Sequence, residues 1–121
     1  MAKRLTSDDI LPTAQKHLDA FHPDVVDAVA KAVASNAIVV VGMAQNPFVG
    51  RARKALKNAG HTFEYVGYGS YFGAWKQRLA IKLWAGWPTF PMVFVKGKLF
   101  GGAVDLEKAL ADGSFKAALE G

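Results

Sequence analysis

The chain has 121 residues and a formal net charge of +5, from fifteen Lys and Arg against ten Asp and Glu. A 51% hydrophobic, 21% charged composition excludes a disordered chain, and the length suits one domain that needs no disulfide or metal staple. The absence of cysteine excludes a disulfide framework, a cysteine nucleophile and iron–sulfur or zinc sites built on protein thiolates.

No apolar run approaches the roughly 18 residues of a membrane span. Met1-Ala2-Lys3-Arg4-Leu5 has the basic residues of a signal peptide but no apolar stretch behind them, so a cytoplasmic location is expected. Ser7 before Asp8 and Asp9 suits a helix N-cap. Ile10, Ala14, Leu18 and Phe21 follow at helical steps, with Pro12 tolerated near the start. After His22-Pro23, Asp24 opens a second helix with Val25, Val26, Val29, Ala32 and Val33 as one apolar stripe, ending near Asn36.

The pattern changes at Ala37. Ala37-Ile38-Val39-Val40-Val41 is a β-branched run without alternation, as expected of a strand buried on both faces. Gln45-Asn46-Pro47 turns the chain, and Pro47 suits the first position of a helix reaching Ala59. That helix is expected to bury Phe48, Ala52, Ala55 and Leu56 and to expose Arg51, Arg53, Lys54 and Lys57. Thr62 to Val66 reads as a strand, Gly67 to Gly73 as a Gly-Tyr-rich loop, and Ala74 to Ala85 as a helix. Pro88 to Pro91 is a rigid loop. Met92 to Val95 and Leu99 to Phe100 read as a hairpin turning at Gly97-Lys98, followed by a helical segment interrupted near Asp112-Gly113. The order after the leading helices is β-α-β-α-β-β-α, in which the first two strands are parallel and the closing hairpin antiparallel. The expected class is α/β: a four-stranded mixed sheet flanked by helices, in the thioredoxin topology.

Two stretches resemble the glutaredoxin family, closest to its monothiol branch. Trp87-Pro88-Thr89-Phe90-Pro91, continuing to Gly101-Gly102, resembles the segment around the family's cis-proline. Asn46-Pro47-Phe48-Val49 stands, without gaps, where the family keeps its active-site motif Cys-Gly-Phe-Ser or Cys-Pro-Tyr-Cys. The resemblance implies a glutaredoxin-like domain over residues 37–121, preceded by a helical extension over residues 1–36. It also implies a cis bond at Pro91 and a groove whose Thr89-Phe90-Pro91 backbone pairs with an extended ligand. Candidate ligand-binding residues are Asn46, Pro47, Phe48, Arg78, Thr89, Phe90, Pro91, Gly102 and Ala103. Among them, Arg78 stands where the family contacts the glycine carboxylate of glutathione.

The chain departs from the family at its chemical centre. Asn46 replaces the nucleophile and Val49 the second motif residue, and a carboxamide cannot attack a disulfide. Nor can it ligate a cluster, so no iron–sulfur centre is expected. Met43 stands at the family's lysine. Ala103-Val104 follows Gly102 where Cys-Asp is usual, with Asp105 one position late, about 100° round a helix. Glutathione is therefore expected to bind weakly at best. The residues suggest a glutaredoxin-like binding or adaptor module for a glutathione-like molecule or an extended peptide of a partner protein. An alternative is an oxidoreductase or transferase in which bound glutathione supplies the thiol.

Other expectations are narrower. The helix starting at Pro47 offers amides to an anion. His17, His22 and His61 lack metal-ligand spacing. Trp75, Trp84, Trp87, Tyr68, Tyr71 and Phe72 read mainly as core or cover for the sheet, with an exposed Tyr71-Phe72 patch near the groove as the alternative. Arg51, Arg53, Lys54 and Lys57 are too sparse for a nucleic-acid surface, and no membrane partner is expected. The valine faces of the leading helices could bury in a homodimer or on their own sheet.

Overall fold

The uncharged run Ile38–Gly42 (β1) is buried along its whole length and forms the centre of the sheet. A computed structural model describes residues 2–69 and 73–121, so Tyr71 and Phe72 lie outside the described residues. Strand β1 pairs in parallel with Glu64–Gly67 (β2) and antiparallel with Met92–Val95 (β3). Strand β3 pairs antiparallel with Lys98–Gly101 (β4), giving the order β2-β1-β3-β4. This is the expected four-stranded mixed sheet. Because neither side of β1 meets water, alternation in its sequence would have placed polar groups in a core.

Helices cover both faces. The helix Pro23–Ser35 (labelled α2, after Pro12–Asp19, α1) sets Val25, Val29 and Val33 against Val39 and Val41 of β1. The valine stripe thus buries on its own sheet. Trp75–Ala85 (α4) adds Ile81 to the same core. On the other face, Ala52 and Leu56 of Pro47–Asn58 (α3) meet Ile38, Val40, Val93 and Val95. Ala103–Asp112 (α5) and Ser114–Glu120 (α6) complete that layer with Leu106, Ala109 and Phe115.

Four expectations about local structure require correction. The first helix is two pieces. Thr6, not Ser7, caps a 3-10 turn at Ser7–Asp9, and α1 begins at Pro12, because proline lacks the amide that would continue the turn. The second helix begins at Pro23, a favoured first position, rather than Asp24. The hairpin turns at Lys96-Gly97, both with positive φ (51° and 81°), so β4 starts at Lys98 rather than Leu99. Strand β2 begins at Glu64 rather than Thr62 and extends to Gly67.

Candidate functional site

The groove lies where the start of α3, the loop before β3 and the start of α5 converge on α4. Its volume is about 700 Å³, within the range of ordinary ligand sites. All nine sequence-nominated ligand residues line it: Asn46, Pro47 and Phe48 from α3, Arg78 from α4, Thr89, Phe90 and Pro91 from the loop, and Gly102 and Ala103 from α5. Val49, the fourth motif residue, does not. It is 3% exposed and packs in the core.

The Phe90-Pro91 peptide bond is cis. Thr89 is exposed, while Phe90 and Pro91 are buried at the groove floor. These residues precede β3, so the backbone of Phe90 lies outside the strand registers.

At position 46 the structure corrects one expectation. The Asn46 side chain is the N-cap of α3: its Oδ1 accepts from the amides of Phe48 at 2.9 Å and Val49 at 3.3 Å. Those amides are the ones a bound anion would have used, so this helix end is satisfied from within. Phe48 is a second correction. It is 47% exposed in the groove rather than buried, and its ring faces the Arg51 guanidinium at 5.2 Å. Its place in the core is taken by Val49, one residue and about 100° further round the helix.

Arg78 is 8% exposed and is not a solvated surface charge. Its Nη1 donates to the Tyr68 carbonyl at 3.1 Å and to the Gly73 carbonyl, tying both ends of the glycine-rich loop to α4. Lys82, four residues on and so on the same helix side, also lines the groove, with Nζ 5.5 Å from the Phe90 ring. Lys82 is not among the residues nominated from the sequence, although its i+4 spacing from Arg78 is the available signal. Asp105 lines the groove too, but its Oδ2 accepts from the Gly102 amide at 2.9 Å and closes the α5 start. Met43 is 6% exposed at the groove wall, so the family's lysine position is an apolar surface here.

Near the groove, burial foremost and then the negative charge of Asp24 push the Tyr68 phenol above its ordinary 10.0. Trp87 also lines the groove, and its indole Nε1 is buried without a partner among the described residues. Trp75, expected as cover for the sheet, is instead 61% exposed. Of the basic residues on α3, Arg51 is paired with Glu107 at 2.5 Å and Arg53 lies 4.0 Å over the Tyr65 ring. Both are held against the protein rather than presented to a polyanion. Among the described residues no His, Asp and Glu cluster could hold a metal ion, and no helix is long and apolar enough to cross a membrane.

No family model matches the chain. A glutaredoxin-like protein of Dictyostelium discoideum is 46% identical over 97 residues, 80% of this chain and 79% of that protein. Oxidized glutaredoxin 2 from Chlamydomonas reinhardtii superposes with a TM-score of 0.70 at 25% identity, over 81% of this chain and 92% of its own. Buckwheat glutaredoxin, solved as a glutathione complex, superposes with a TM-score of 0.69 at 21% identity, covering 88% and 93%.

Proposed function

The chain belongs to the glutaredoxin family, and from that premise we propose that it works as a binding module without thiol–disulfide exchange of its own. One observation carries this reading. The side chain at the family's nucleophile position is turned onto the amides of its own helix, beside a groove whose other walls are present. The chain has no other thiol to act in its place.

The lining supports an elongated ligand. Met43, Phe48 and Val104 supply apolar surface, α4 supplies the cations Arg78 and Lys82, and α5 supplies Asp105. An extended peptide laid along Thr89-Phe90-Pro91 would bury apolar side chains on that surface and use backbone hydrogen bonds for register. Glutathione, the ligand in the buckwheat complex, has an anionic end suited to Lys82. Its affinity should be low, since the anion-binding amides are capped and Asp105 already accepts from Gly102. Loss of one charge-assisted hydrogen bond is worth about 1.5–3 kcal/mol, or one to two decades of affinity.

Amide NMR during titration with glutathione tests the small-thiol version. Shifts at Phe48, Lys82 and Phe90 in the millimolar range are expected, and none at that concentration removes it. Replacing Asn46 by Cys is the companion experiment, because restored disulfide-reductase activity would locate the loss in the nucleophile alone.

A second reading is favoured by the geometry of Asn46. With Oδ1 fixed on the helix, Nδ2 is the side-chain donor left at the groove and could steady the sulfur of a bound glutathione that supplies the thiol. Disulfide-reductase activity of the unaltered chain, abolished by Lys82→Ala, would establish this reading over the first. Lys82→Ala is preferred to Arg78→Ala because Arg78 also holds the loop carbonyls.

A further inference from the structure

Helix α4 turns Arg78 and Lys82 to the groove and Ala80 and Ile81 to the interior, which leaves its outward side. That side is apolar. Trp75, Leu79 and Leu83 are exposed to 61%, 37% and 51%, with Trp84 at the margin, 39% exposed and its ring 5.8 Å from that of Phe94, whereas α3 and α5 expose one large apolar side chain each, Phe48 and Val104. Trp75, Leu79 and Leu83 stand four residues apart and form a single row about 12 Å long. A helix apolar on both its inner and outer sides is normally covered on both.

The charges around the row indicate what covers it. No Asp or Glu occurs between Trp75 and Ala85. Lys76 sits beside Trp75, with Nζ 5.6 Å from its ring. Lys82 follows, and the Arg4 guanidinium lies against Gly86 at the C-terminal end of the helix. Two acids, Asp19 and Asp27, share a cleft of about 490 Å³ with Leu83 and Trp84, at one end of the row.

We propose that this crest docks the protein on the surface of an anionic lipid bilayer. Tryptophan favours the boundary between headgroups and acyl chains, where its ring is buried and its N–H stays wet. Lysines beside it keep their stems on apolar surface and their ammonium groups among anionic headgroups. The Trp75 end enters first, and the Trp84 end, beside Asp19 and Asp27, stays at headgroup level. A second copy of the chain fits less well. Antiparallel pairing of two α4 helices about Leu79 would set Lys76 of each copy against Lys82 of the other, like charge on like. An acid-free, lysine-flanked crest matches a negatively charged plane.

Flotation of the full chain with phosphatidylcholine vesicles containing about one-third phosphatidylserine tests this, against vesicles of phosphatidylcholine alone. Binding is expected to the anionic vesicles, with a blue shift of tryptophan emission and weakening by added salt. Trp75→Ala should weaken it by about tenfold or more. Lys76→Gln should weaken it by about fivefold, whereas Lys57→Gln, with the same charge change on α3, should alter it by less than about twofold. Circular dichroism of each variant establishes that it is folded. The proposal is overturned if the folded chain ignores anionic vesicles, or if Lys57→Gln and Lys76→Gln act equally while Trp75→Ala does nothing. It is also overturned if the chain is a dimer that Leu79→Glu dissociates, since a second copy then covers the crest.

Discussion

Asn46 Oδ1 accepts from two amides that a helix start otherwise offers to solvent or ligand, so its structural task is independent of what enters the groove. Asn46→Ala should lower stability by about 1 kcal/mol in urea denaturation, and Asn46→Asp, which can cap equally, should not. The adjacent pair divides labour differently. Phe48→Ala should barely change stability and should weaken groove ligands, whereas Val49→Ala should cost about 2 kcal/mol by emptying core space. Both side chains are apolar and lie in the first helical turn, so sequence pattern could not separate them; the direction of the cap decides which points inward. Val49 also fills the space beside Gly42, where a Cβ would fall 2.6 Å from Val49 Cγ2. Gly42→Ala should therefore be destabilising by about 1–3 kcal/mol, and much less so in a Val49→Ala background, as a double-mutant cycle would measure. For Tyr68, burial and Asp24 raise the folded phenol above 10.0. A group raised on folding contributes stability that is present below its unfolded value and lost as pH rises through the folded one. Ultraviolet titration should find the Tyr68 midpoint above 10, and Asp24→Asn should bring it down.

Elements whose boundaries are set by backbone chemistry were the most legible. Pro47 starts α3, and Gly113, with φ of 85°, separates α5 from α6 near the expected interruption. The first helix was misread as continuous because Ile10, Leu18 and Phe21 keep helical spacing across a break that Pro12 imposes. Periodicity records which side faces inward, not whether the hydrogen bonds run through. The break between α5 and α6 carries its own device. Hydrogen bonding from Ser114, side chain first and then backbone, holds the exposed Asp112 carboxylate below its ordinary 3.8, and the Ser114 amide donates to Asp112 Oδ1 at 2.8 Å. A group lowered on folding stabilises above its unfolded value, and the contribution is lost as pH falls through the folded one. Denaturation midpoints measured in acid should therefore decline below about pH 4 less steeply in Asp112→Asn than in the parent chain.

At the scale of the molecule, the mixed four-stranded sheet was readable from the order of elements, and the nine nominated residues fall on one groove because the motif segments carry their own geometry: a proline loop, a helix start and a Gly-Gly turn. The charge state of the groove was not. Whether Arg78 is free or held, and whether the helix amides are open, depends on partners distant in sequence or on a rotamer, which spacing does not encode. The outward side of α4 was hidden for a related reason: Trp75 looks like a core aromatic until the sheet is seen to be covered by Val25, Val29, Val33 and Ile81, with Trp84 at the margin, its ring against Phe94.

The central position of β1 has a consequence for the chain as it leaves the ribosome. Its Val39-Val40-Val41 segment is uncharged and β-branched, yet its two neighbours, β2 and β3, begin only at Glu64 and Met92. Until those residues have been synthesised, one of the chain's most adhesive segments has an open edge on each side, a template for pairing with other nascent chains. The leading helix α2, with three valines destined for that same strand, emerges first and can shield one face of β1 during the wait.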